Sequence, residues 1–259
     1  MMAVVTGGSR GIGYAVAEEL VRRECQVVVV ARDRARGEQA VSALGPASLV
    51  VADLSTIAGI QSAADQILDQ CPKIDVFVHN AGIWPTRLVR TPDGLEQAFA
   101  VNHLAPFLLN HLLEPRLRDS ATRVVQVSAG LFVKGRYDPQ RTPTGEDFHR
   151  MRTYCTTKLA NLLTVPVFAE RWRNTGVTID AVHPGVIKTD LGDTGGLLGL
   201  LMKFVKRSWA PPASGAKPVV RLAFTTGNGR YFDQNALAEG PKDPVLAQRV
   251  WDQAVAYVP

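Results

Sequence analysis

Six short apolar runs recur along the chain, AVVT (3–6), QVVVVA (26–31), SLVVA (48–52), DVFVH (75–79), RVVQVS (123–128) and VTIDAV (177–182), with helix-period segments between them. Runs that are apolar at nearly every position suit strands buried on both faces, and strands separated by helix-length crossovers pair in parallel. The pattern predicts an α/β fold: a doubly wound parallel sheet of about seven strands with helices on both faces. Helical spacing falls around 11–23, 56–70, 95–117 and 154–173, with a further helix expected near 212–224 and a last short strand at GRYF (229–232). A chain of 259 residues with 46% hydrophobic content can bury one such core, so a single domain over 1–259 is expected.

The net charge of +5 and the pI near 9.3 come from dispersed arginines, with no run of five basic residues and no interleaved aromatics. This is the pattern of a solvated surface and gives no reason to expect a nucleic-acid partner. Cys25, Cys71 and Cys155 are odd in number and lack metal-ligand spacing, which points to a reducing, cytoplasmic location without disulfides or a metal. Cys155 reads as a thiol packed beside the site described next. The opening MMAVVTGG enters a strand at once and no 18-residue apolar run occurs, so neither a signal peptide nor a transmembrane segment is expected.

After the first run comes Thr6-Gly7-Gly8-Ser9-Arg10-Gly11-Ile12-Gly13. Glycines at a strand-to-helix corner let backbone approach a pyrophosphate, and the first N–H groups of the helix point at it. Gly7, Ser9, Arg10, Gly11, Ile12 and Gly13 are therefore candidate dinucleotide contacts. Arg32 directly follows the second run, 19 residues past Gly13, where a 2′-hydroxyl or 2′-phosphate is read. With Arg10 it suits the phosphate, so NADP(H) is favoured over NAD(H), although Asp33 stands next to it as the alternative grip. Asp53 and Leu54, then Asn80, Ala81 and Gly82, fall at carboxyl ends of strands, where this architecture binds ligands. Capping or turn chemistry at Asp53 and Asn80 is compatible with that role.

Tyr154 and Lys158 stand one helical turn apart, so phenol and ammonium share a face. A cation there is expected to lower the phenol's pKa and fit it for proton transfer to or from a carbonyl or alcohol oxygen.

TGGSRGIG, HNAG (79–82), VNHLAPF (101–107), YCTTK (154–158) and HPGVIKTDL (183–191) resemble the short-chain dehydrogenases/reductases along almost the whole chain. ARDRARGEQA, TPDGLEQAFAVNHLAPFLLNHLL and TYCTTKLANLL resemble the retinol-dehydrogenase-like branch, which uses NADP(H) on lipophilic ketones, aldehydes and alcohols. The resemblance implies a Rossmann-type domain with Tyr154 as proton donor and Lys158 binding the ribose and acidifying the phenol. It makes Asn102 the holder of a water linked to the lysine, and Pro184, Gly185, Val186 and Thr189 the seat of the nicotinamide carboxamide. Unlike the membrane-anchored vertebrate members, the chain shows no leading apolar segment, which counts against a retinoid substrate.

One departure stands out. Where the family places a serine that hydrogen-bonds the substrate carbonyl, this chain has Ala129. Ser128 precedes it, but successive side chains of an extended segment point to opposite sides, so Ser128 replaces it only if the strand end is bulged. The substrate is then expected to bring its own polarising group, such as a phenol bonded to the target ketone in a polycyclic aromatic. Segments 130–152 and 191–210 are expected to cover the substrate, with Leu197, Leu200, Leu201, Phe204 and Val205 at helical spacing, and Trp84 is a further lining candidate.

The resulting expectation is NADPH-dependent reduction of a bulky lipophilic carbonyl compound, with a homo-oligomer compatible. An NADP-dependent retinol- or sterol-like alcohol dehydrogenase, or a cofactor-binding protein without catalysis, are the alternatives.

Overall fold

The computed structural model describes residues 1–187 and 210–258. The first half comprises β1 (Met2–Thr6), α1 (Gly11–Arg22), β2 (Gln26–Ala31), α2 (Arg34–Leu44), β3 (Ala47–Val51), α3 (Ile57–Gln70) and β4 (Val76–His79). Then come α4 (Gln97–Phe99), a π-helical turn at Ala100–Leu104, α5 (Ala105–Leu112), α6 (Glu114–Asp119), β5 (Arg123–Val127), α7 (Arg152–Arg171) and β6 (Thr178–His183). The described chain closes with α8 (Pro212–Ala223), β7 (Tyr231–Asp233), β8 (Ala236–Ala238) and α9 (Pro244–Val255). The sheet runs β3-β2-β1-β4-β5-β6-β7-β8 and is parallel except for the β7–β8 hairpin.

Alternation along β1 explains the two layers of helices. Val4 packs on one side with Ile60 of α3, Leu108 of α5 and Phe168 of α7. Ala3 and Val5 pack on the other with Val16 and Leu20 of α1 and Val219 of α8. Both faces are covered, as parallel strands require. The order in which successive strands are added reverses between the parallel neighbours β1 and β4, and a crevice at the carboxyl ends of strands flanking such a switch is where ligands enter. Within the outer layer, Trp251 of α9 wedges against Phe107, His111 and Phe168.

The expected doubly wound sheet of about seven strands is found with eight, the last added where the chain turns back after Asp233 and pairs Ala236–Ala238 antiparallel with β7. One expectation needs correction. The helix expected over 95–117 is broken into α4, the π turn, α5 and α6. Glu96, wholly buried, caps the start of α4 by accepting from the Phe99 N–H at 2.7 Å. The 130–152 segment is irregular as expected, apart from a 3₁₀ turn at Gly130–Lys134. Thr189, the greater part of the 191–210 segment and its five apolar residues lie outside the described residues.

Candidate active site

The glycine turn is built by close approach. Gly7 and Gly11 take positive φ (66° and 58°), and a Cβ at Gly13 would sit 2.3 Å from the Gly7 carbonyl and 2.4 Å from Asn80 Nδ2. Asn80 stitches the turn to the end of β4: its Nδ2 donates to the carbonyls of Thr6 (2.9 Å) and Gly7 (3.3 Å), and its N–H donates to the Thr6 hydroxyl. α1 starts without a side-chain cap and without an acid in its first turn, whereas Asp33, Thr56 and Asp243 cap α2, α3 and α9. Uncapped N–H groups at the sheet's switch point make an anion cradle.

Tyr154 and Lys158 reach the same crevice from α7. Both are buried, and the lysine Nζ lies 5.9 Å from the centre of the phenol ring. Nζ donates to the Val127 carbonyl at 3.1 Å, and burial brings its pKa down to about 8. The expected acidification of the phenol is not found. Burial, and secondarily the neighbouring Cys155, push Tyr154 up from its usual range, because desolvation penalises the phenolate more than a lysine outside hydrogen-bonding distance can help.

Asn102 sits in the π turn, wholly buried. Its side chain accepts from the Ile83 N–H (2.7 Å) and donates to the Ile83 carbonyl (2.8 Å) and the Thr157 hydroxyl (3.0 Å). Its own carbonyl accepts from Asn161 Nδ2 at 2.8 Å. A Cβ at Gly82 would lie 3.5 Å from Asn102 Oδ1 and 3.6 Å from Lys158 Nζ, ordinary contact distances that place Gly82 beside both groups.

Ala129 packs with Tyr154 and Cys155, with Trp84 and Leu131 against them. The Ser128 hydroxyl donates away from this cluster, to the Lys158 carbonyl at 3.4 Å. No bulge brings it round: β5 pairs in regular register through Val127, and Ser128 N–H continues the ladder to the Val182 carbonyl. Cys155 is buried and its thiol pushed up, so it is inert packing as expected.

A family model of the short chain dehydrogenases matches residues 1–195. The chain belongs to that family. Among curated members, human retinol dehydrogenase 14 is 33% identical across 96% of this chain and 83% of its own length. Bovine dehydrogenase/reductase SDR family member 13 is 37% identical across 96% and 71%. The fold matches a solved protein of Mycobacterium Paratuberculosis (TM-score 0.78, 24% identity, covering 99% and 92%) and salutaridine reductase from Papaver somniferum (0.70, 20%, 89% and 99%). This short chain dehydrogenase lies in the retinol-dehydrogenase-like branch.

Members of the family bind a nicotinamide cofactor, and the uncapped α1 with its glycine cradle fits the pyrophosphate of one. Around it, Ser9 is partly buried and Ile12 lines the α1–α8 layer. Arg10 and Arg32 are exposed, while Asp33 is engaged as the α2 cap, accepting from the Arg36 N–H at 2.9 Å. Asp53 accepts from the Ser55 N–H in a turn beside buried Leu54. Ala81 N–H donates to the Thr6 hydroxyl. Pro184 is buried, Gly185 takes φ of 93° and Val186 is 60% exposed. Sequence reasoning missed Thr157 and Asn161, which fasten Asn102. Asn161 lies seven residues past Tyr154, on the helix face that Tyr154 and Lys158 already mark.

Proposed function

We propose that the chain is an NADPH-dependent reductase of bulky lipophilic carbonyl compounds, with Tyr154 as the proton donor. The observation that carries this reading is the meeting of the buried Tyr154 phenol and Lys158 on one face of α7, against Ala129 and Trp84 and in the crevice that holds the uncapped start of α1. Burial raises the phenol's pKa, so at neutral pH it holds the proton that a carbonyl oxygen needs.

Bound NADPH would supply hydride to the carbonyl carbon. Tyr154 gives its proton to the oxygen as the C=O bond becomes a C–O–H single bond, and Lys158, cationic below its pKa of about 8, supports the negative charge left on the phenol. Asn102 holds the Ile83 backbone against the lysine corner. Gly7, Ser9, Gly11, Ile12 and Gly13 would hold the pyrophosphate, Asp53 and Leu54 the adenine side, and Pro184, Gly185, Val186 and Thr189 the carboxamide. Arg10 and Arg32 would read the 2′-phosphate, helped by the commitment of Asp33 to its cap. Segments 130–152 and 191–210 would cover the substrate within one domain. A cytoplasmic location agrees with the absence, among the described residues, of a helix long and apolar enough to cross a membrane.

A second reading, cofactor binding without catalysis, is favoured by the methyl group at Ala129. Following NADPH and NADH consumption over polycyclic ketones, aldehydes and steroids separates the two. Turnover with NADPH preferred, lost about 10²–10⁴-fold in Tyr154→Phe, is expected. Stoichiometric NADPH binding with no turnover on the panel would establish the second reading.

A further inference from the structure

Trp84 lies face to face on Tyr154, with ring centroids 4.4 Å apart and planes within 4° of parallel. Its indole N–H donates to the Arg150 carbonyl at 2.9 Å, so the ring is fixed at its face by the phenol and at its edge by the 130–152 segment. Neither residue beside it offers the substrate a donor. Ala129 ends in a methyl group, and the Ser128 hydroxyl faces the Lys158 carbonyl. A carbonyl oxygen meeting Tyr154 alone has one hydrogen bond, and a single bond leaves the carbonyl plane free to turn about the O···O line. Reduction needs that plane fixed, because hydride reaches an sp² carbon from above or below it.

On the reductase reading above, we propose that Trp84 supplies the missing constraint and thereby sets the substrate class: flat, conjugated carbonyl compounds such as aryl ketones. Such a compound meets the phenol edge-on, continues its plane and stacks on the same indole. The indole then shields one face of the carbonyl, hydride adds to the other, and one enantiomer of the alcohol is formed. A saturated ketone of equal size gains no stacking and is held by the phenol alone. Aromatic stacking of ordinary strength makes the discrimination about two- to tenfold in kcat/KM.

The test compares an aryl methyl ketone with its cyclohexyl counterpart in the wild type, Trp84→Phe and Trp84→Ala, reading kcat/KM from NADPH consumption and the enantiomer ratio by chiral chromatography. Far-UV circular dichroism and NADPH affinity establish that each variant is folded and loaded. The wild type is expected to favour the aryl ketone and to give one enantiomer in excess. Trp84→Phe should keep most of both effects, and Trp84→Ala should lose both. An unchanged substrate ratio and enantiomer ratio in Trp84→Ala overturns the proposal, as does an equal rise for both ketones, which would make the indole a mere obstruction. Wild-type turnover without discrimination defeats this inference alone. No turnover of either ketone by NADPH-loaded wild type defeats the reductase reading and takes this inference with it.

Discussion

At position 129 the side chain stops one atom short of a hydroxyl, directly beside the buried phenol. An oxyanion donor there is worth about 10²–10³ in rate, so Ala129→Ser is expected to raise kcat on a simple ketone that lacks an internal phenol, by up to that factor. Stopped-flow NADPH oxidation reads it, and unchanged turnover would show that the substrate needs no such help. Lys158 gives a second handle. Burial brings its pKa down, so its charge is present at neutral pH and is lost as pH rises through about 8; kcat/KM for NADPH should fall across that value and be lower throughout in Lys158→Met. The sequence shows the Tyr154–Lys158 pair through its spacing, but not the direction of the phenol's shift. That direction follows from burial among Ala129, Cys155 and Trp84, the last a residue 70 positions away whose stacking leaves no periodic trace. Ala129 is the opposite case: its missing hydroxyl is legible in the chain, and the structure adds only that Ser128 faces elsewhere.

Among elements, β6 carries the sharpest electrostatic commitment. Asp180 is fully buried and pairs with Arg123 of β5 at 2.6 Å and with Arg230, just before β7, at 2.7 Å. Arg123 also donates to the Leu222 and Gly227 carbonyls, tying the end of α8 to the sheet. Removing the carboxylate leaves a nine-tenths buried guanidinium without its counter-charge, so Asp180→Asn is expected to cost about 3–5 kcal/mol in urea unfolding, far more than removal of an exposed pair such as Arg34–Glu38. The β-branched runs of the central strands mark themselves because both faces of the sheet are covered, and β2 falls on the bounds its apolar run suggests. β8 is three residues, ALA, too short to show alternation and defined only by its pairing with β7. The π turn at 100–104 shares the apolar spacing of a helix, since one extra residue in a turn changes the hydrogen-bond partner and not the composition.

On the scale of the molecule, two histidines are sealed in the core. His79 meets Asn110 Oδ1 at 2.8 Å and His103 meets Asn161 Oδ1 at 3.2 Å, while the other ring nitrogen of each has no partner among the described residues. Burial lowers both from the ordinary 6.5 to about 4. The unfolded chain therefore binds these protons before the native state does, and stability present at neutral pH is lost as pH falls from 6.5 towards 4, by about 2 kcal/mol per histidine at pH 5. Urea midpoints at pH 7 and pH 5 measure the loss, and a flat profile would mean that the rings are already charged inside the fold. The glycine turn binds the molecule together over a longer reach. Asn80 closes it onto Thr6 across 74 residues. During synthesis β1 and its glycines leave the ribosome ahead of β4, yet their shape waits for a partner made about 4–15 s later at ordinary elongation rates. A nascent chain halted before β4 emerges should thus be unable to capture a dinucleotide, however complete its glycine motif.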